Sequence, residues 1–128
     1  MRGPVLVIDD DRKLRGLLTD YLATAGFAVI AAGRADDGMR LLRTEHPEIV
    51  ILDVMLPDIN GKEVCQRVRS DDTLEAVKII CISGMVEQDK VADLIAAGAN
   101  DFMQKPFQVD QLLDRACDML DIERGAPA

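Results

Sequence analysis

Apolar residues recur along this chain in two alternating rhythms. Short continuous runs appear at 5–8 (VLVI), 27–32 (FAVIAA), 48–53 (EIVILD) and 77–83 (VKIICIS), with a fifth, shorter run at 100–104 (NDFMQ). Each has the length of a strand, and the first four are too uniformly apolar for a strand with one wet face. Between them the spacing changes to a helical one. In DRKLRGLLTDYLATAG, Leu14, Leu17, Leu18, Tyr21 and Leu22 fall on one stripe, and Gly26 closes the segment as a C-terminal cap. The helical pattern returns over 34–45 through Met39, Leu41 and Leu42, and again after a loop marked by Pro57 and Gly61, as far as Arg69. It recurs over 86–97, ending at Gly98, and a last stripe runs through Val109, Leu112, Leu113, Ala116 and Leu120.

Strands alternating with helices predict an α/β domain: a doubly wound, parallel five-stranded sheet of the (βα)5 type, covered by helices on both faces. Right-handed crossovers bring the carboxyl ends of all strands to one edge, where ligands bind in open sheets of this kind. The residues at those ends are Asp9 and Asp10 after the first run, Asp53 after the third, Ser83 after the fourth and Lys105 after the fifth. Each has a plain structural alternative: Asp10 or Asp11 as a helix cap, Ser83 as a strand-end hydroxyl, Lys105 as a solvated charge. Their convergence on one edge is what points to chemistry.

Two carboxylates about 4 Å apart repel by roughly 4 kcal/mol at an effective dielectric near 20. Three such groups would consume much of a domain's stability of about 5–15 kcal/mol, so positive charge must answer them or their pKa values must rise. Lys105 supplies one charge, and a divalent cation would supply the rest. Carboxylate oxygens at an open edge suit Mg²⁺ with several waters retained, Mn²⁺ being the alternative. A cation held by two carboxylates beside a third, with a hydroxyl and a lysine near, is a phosphoryl-transfer arrangement in which Asp53 acts as nucleophile.

Composition narrows the partners. A net charge of −8 without a Lys/Arg stripe argues against direct nucleic-acid contact or an anionic membrane surface. Cys65, Cys81 and Cys117 form no CxxC pair and sit among apolar neighbours, which reads as small buried hydrophobes in a reducing cytoplasm. No run of 18 apolar residues occurs to span a membrane.

The motifs IDDD, ILDVMLPDING, CISG and FMQKPF, in this order, resemble the receiver domain of two-component response regulators, and the chain is similar to the chemotaxis response regulator. The resemblance covers residues 4–121. It implies a receiver domain over 1–122 with 123–128 as a flexible tail or the start of a linker, and a flavodoxin-like sheet of order 2-1-3-4-5. It further implies that Asp53 is the phosphoacceptor for a sensor histidine kinase or a histidine phosphotransfer protein. Asp9 and Asp10 match the acidic Mg²⁺-binding pair, with Asp53 and the backbone carbonyl of Met55 as further ligands. Ser83 matches the hydroxyl switch residue, Lys105 the site lysine and Phe102 the switch aromatic, while Pro106 fits a bend made through a cis peptide bond.

On this reading phosphorylation draws Ser83 toward the phosphoryl group, lets Phe102 swing inward and changes the surface over 86–121, which contacts an effector and is a candidate homodimer face. A plain core aromatic is the alternative for Phe102. Met55 and Met85, two residues beyond Asp53 and Ser83, are expected to shield an acyl phosphate from water. His46 reads as a solvated loop residue. A phosphatase would want an acid–base group where Met55 stands, and a pseudo-receiver acting as a phosphorylation-independent module would have lost part of the acidic set. The chain is therefore expected to be a non-enzymatic switch, either acting alone or as the N-terminal piece of a longer regulator.

Overall fold

The computed structural model describes residues 4–84 and 88–122. Five strands, β1 (Val5–Ile8), β2 (Val29–Ala32), β3 (Ile49–Asp53), β4 (Lys78–Ser83) and β5 (Asp101–Gln104), pair in parallel in the order β2-β1-β3-β4-β5. Five helices connect or follow them: α1 (Arg12–Thr24), α2 (Ala35–Glu45), α3 (Gly61–Arg69), α4 (Gln88–Ala97) and α5 (Val109–Met119). This is the flavodoxin-like order expected from the motifs.

The near-continuous apolar runs exist because the strands are covered twice. Val5 and Val7 of β1, Ile49 and Ile51 of β3, and Ile80 and Ile82 of β4 face α1 and α5, packing with Leu18, Leu22, Leu112 and Ala116. Their alternating neighbours Leu6, Ile8, Val50, Leu52, Ile79 and Cys81 face the other layer, with Met39, Leu42, Val64, Val68 and Leu94. Burying each of these aliphatic side chains contributes about 1.5–3 kcal/mol, which is why period-two polarity is absent from β1 and β3.

Boundaries differ from the apolar runs where residues pack without pairing. Phe27, inside the second run, precedes β2; its N–H closes α1 on the carbonyl of Leu22, and its ring joins the α1/α5 layer. A 3-10 turn over Asp72–Leu74, not foreseen from the pattern, forms because Asp71 caps it on the Thr73 N–H and Leu74 is buried. Gly26 adopts φ 101 just past α1, as a helix-closing glycine should. His46 is exposed at the end of α2 with φ 50, and the three cysteines are buried thiols. Cys65 and Cys81, distant in sequence, lie with sulfurs 3.8 Å apart. The expected start of the fourth helix at Val86, and Met85, fall outside the described residues.

At the amino edge one side chain ties α3 to the residues before β4 and to those before β5. Arg69 donates to the carbonyls of Gly98 (3.0 Å), Val77 (2.8 Å) and Glu75 (3.2 Å) and to Oδ1 of Asn100 (2.8 Å), which also accepts from the Ile79 N–H. Gly98 is needed twice over: its φ is 123, and a Cβ there would fall 2.3 Å from Cγ of Arg69. Gly16, exposed within α1, has nothing near its would-be Cβ. Alanine at the two glycines is therefore expected to act in opposite directions in denaturant unfolding. Gly98→Ala should lose about 1–3 kcal/mol through backbone strain and the clash, and Gly16→Ala should gain roughly 0.5–1 kcal/mol through helix propensity.

Candidate functional site

The register of the sheet brings the acidic groups together. Ile8 of β1 pairs with Leu52 of β3, so Asp9 and Asp53 are the next residues on adjacent strands, at the point where the strand order reverses. Asp53 is level with Ile82, which sets Ser83 one step further along β4; Ser83 in turn pairs with Gln104, and Lys105 follows. The Lys105 N–H donates to the Ser83 carbonyl at 2.8 Å, and the Lys105–Pro106 peptide bond is cis.

Asp9, Asp53 and Ser83 are buried, whereas Asp10 is exposed. The Lys105 ammonium lies 3.0 Å from Oδ2 of Asp9 and 3.4 Å from Oδ2 of Asp53, bridging the two buried carboxylates. Their other oxygens take backbone donors: Asp11 N–H to Asp9 Oδ1 at 2.9 Å and Met55 N–H to Asp53 Oδ1 at 3.0 Å. Burial pushes the Asp53 carboxyl up to about 6; the Met55 N–H and Lys105 oppose this, and the negative charge of Asp9 adds to it. Burial alone would lower Lys105, but its contacts with Asp9 and the charge of Asp53 prevail and hold it above its ordinary value.

Oxygens of Asp9, Asp10 and Asp53 all lie within 4.8 Å of one another. Three carboxylates facing one ammonium leave an excess of two negative charges, and every donor is a hard oxygen. A small divalent cation fits both the charge and the donor set. Arg15, not singled out from the sequence, donates to the backbone carbonyl of Asp9 at 2.7 Å, one turn into α1.

Asp11 is the N-cap of α1, its carboxylate accepting from the Lys13 and Leu14 N–H groups, so it belongs to the helix rather than to the acidic cluster. Met55 is 67 % exposed beside Asp10 and Pro57, lining a cleft of about 530 Å³ between the β3–α3 loop and α4. Gly61 starts α3 so close to β3 that a Cβ would lie 2.7 Å from Cα of Val54. Phe102 is half-buried on β5 opposite Cys81, against the α2–α4 layer, so it is neither a fully buried core aromatic nor a free one. Asp58, not singled out from the sequence, reaches back to α2. Its oxygens accept from the Ala35 and Asp36 N–H groups, both at 2.9 Å. Burial acts against its ionised form, but these amides, with its own and that of Ile59, lower the carboxyl to about 2.

The family model of the response regulator receiver domain matches residues 5–116. The chain is 39 % identical over 112 residues to the transcriptional regulatory protein GltR of Pseudomonas aeruginosa, covering 87 % of this chain and 46 % of that protein. It is 36 % identical over 114 residues to the response regulator MprA of Mycolicibacterium vanbaalenii, covering 87 % and 47 %. A crystal structure of a putative response regulator from Chloroflexus aurantiacus superposes with a TM-score of 0.88 at 28 % identity, over 94 % of this chain and 99 % of that one. The chain belongs to the receiver domains of the response regulators of two-component systems. It spans about half the length of the curated relatives it matches. Among the described residues no helix is long and apolar enough to cross a membrane.

The raised Asp53 carboxyl has a defined consequence in metal-free buffer. Its folded value of about 6 exceeds the ordinary 3.8, so its contribution to stability is complete below about pH 4 and is lost as pH rises through 6. Asp53→Asn should therefore stabilise the protein at pH 7 in the presence of a chelator, by on the order of 2–3 kcal/mol, and be neutral near pH 4. Thermal unfolding across this range checks both halves.

Proposed function

We propose that this chain is a phosphorylation-controlled signalling switch with Asp53 as phosphoacceptor. The observation that carries the reading is the pairing of a buried, semi-desolvated Asp53 with Asp9, under one bridging lysine, at the strand-order switch point. An Asp53 oxygen attacks the phosphorus of a phosphohistidine. The new bond makes an acyl phosphate, and the P–N bond breaks with its electron pair leaving on the imidazole. The donor is a sensor histidine kinase or a histidine phosphotransfer protein. Asp9, Asp10 and Asp53, with the Met55 carbonyl, would hold Mg²⁺, which supplies charge neutralisation between the carboxylate and the phosphoryl oxygens.

The chain's own groups act around that transfer. Lys105, already held between Asp9 and Asp53, is placed to balance charge on a phosphoryl oxygen, and Ser83 offers its hydroxyl from the end of β4. Movement of Ser83 and Phe102 then changes the surface over 86–121, the face offered to an effector or to a second copy. The domain turns over no substrate of its own and works in the cytoplasm. Relatives named as transcriptional regulators support an output in gene control, delivered by a longer protein. The presence of Asp53, the acidic pair and Lys105 together speaks against a pseudo-receiver.

Intact mass after incubation with acetyl phosphate and Mg²⁺ tests the reading. A gain of one phosphoryl group is expected for the wild type, with none for Asp53→Ala or when the metal is withheld. An equal gain in Asp53→Ala would place the chemistry on another residue and sink the proposal.

A further inference from the structure

Helix α2 takes no cap from its own N-cap residue, although Asp36 Oδ1 accepts the Asp37 N–H within its first turn. Arg34 stands at its N-cap position with extended backbone and makes no side-chain cap hydrogen bond. The cap comes instead from Asp58, on the β3–α3 loop. One carboxylate oxygen takes the Ala35 N–H and the other the Asp36 N–H, both at 2.9 Å. Two orphan donors of the first turn are thus satisfied by a residue more than twenty positions away, and its charge lies where the helix dipole favours an anion.

The loop so tied is the one that carries Met55. Its inner end is fixed close to β3 and β4: the Val54 N–H donates to the Ile82 carbonyl at 3.0 Å, the Gly61 N–H to the Val54 carbonyl at 2.7 Å, and Asn60 caps α3 on the Glu63 N–H at 2.9 Å. These contacts pin residue 54 and residues 60–61. Between them, Met55 and Pro57 are exposed, and Leu56 and Ile59 are partly buried against the α2–α4 layer. The Met55 N–H is held by Asp53 Oδ1 at 3.0 Å, which leaves the Met55 carbonyl to be aimed by the course of the rest of the loop. Asp58 is the polar contact that attaches the outer half of the loop to the body of the domain.

We propose that Asp58 is a positioning residue for the metal site: its two-oxygen grip on the N-terminus of α2 holds the β3–α3 loop so that the Met55 carbonyl is presented to the cation. The inference rests on the receiver reading and adds a residue that touches neither the cation nor the phosphoryl group. It also makes α2 a part of the site's support, although no α2 side chain enters the acidic cluster.

Amide NMR titration of the unphosphorylated protein with Mg²⁺ measures the affinity without any phosphoryl transfer. The variants are Asp58→Ala, Asp58→Asn and, as a control for general loosening of α2, Leu42→Val. Removing an outer-shell partner of a directly bound ligand costs about 10- to 100-fold in metal affinity, so this more remote tie should be worth roughly 3- to 10-fold in Asp58→Ala. Asp58→Asn keeps one acceptor oxygen and should fall between Asp58→Ala and wild type, and it carries the test if the alanine variant does not fold. Leu42→Val should leave the affinity unchanged. Equal weakening in Asp58→Ala and Asp58→Asn would assign the effect to the lost charge and overturn the positioning role. Unchanged affinity in Asp58→Ala, or weakening in Leu42→Val of the same size, would overturn it as well. If the wild type itself binds no Mg²⁺, the receiver reading fails first, a result visible before any variant is compared.

Discussion

Two carboxylates buried side by side at the ends of adjacent strands are the constraint around which this domain is organised. Asp9 and Asp53 have no choice of distance, because the register of β1 and β3 places them level on the same face of the sheet. Burial raises the pKa of Asp53, and the negative charge of Asp9 beside it adds to the rise. Lys105 resolves part of it by reaching both carboxylates from beyond β5. The remaining negative charge, with exposed Asp10 at the rim, gives the edge a donor set that could hold a cation.

Helix starts reinforce the same edge. In a parallel βα arrangement each helix begins near the carboxyl ends of the strands, so the starts of α1, α2 and α3 surround the acidic groups. All three are capped by acceptor side chains there: Asp11 for α1, Asp58 for α2 and Asn60 for α3. Capping joins each loop to a rigid element and leaves the loops short of freedom near the site, while the positive ends of the helix dipoles offset some of the crowded negative charge. The opposite edge is held in a different manner. There Arg69 gathers the carbonyls of Glu75, Val77 and Gly98 and the Asn100 side chain, which secures α3, the start of β4 and the end of α4 without any ionisable partner. One edge sets ionised groups against one another; the other is locked by a single guanidinium on neutral acceptors.

How far all this could be read in the amino-acid order depends on the range of the interaction concerned. Five strands, five helices and the parallel sheet were legible because continuous apolar runs and helical spacing are local patterns, imposed by burial on two faces. Asp9, Asp10, Asp53, Ser83 and Lys105 were legible because each ends a strand, and parallel topology brings all strand ends to one edge. What remained closed was any partner chosen across space. Asp58 caps a helix that begins 23 positions earlier in the chain, Arg15 meets a carbonyl rather than a charge, and Cys65 finds Cys81 across the layer between α3 and β4. Phe27 looked like strand and became packing, and Asp72–Leu74 looked like loop and became a turn. No spacing rule encodes such contacts. They follow from the distance between elements, and that distance is settled only when the two layers close on the sheet and the backbone donors left unpaired take whichever acceptor lies within reach.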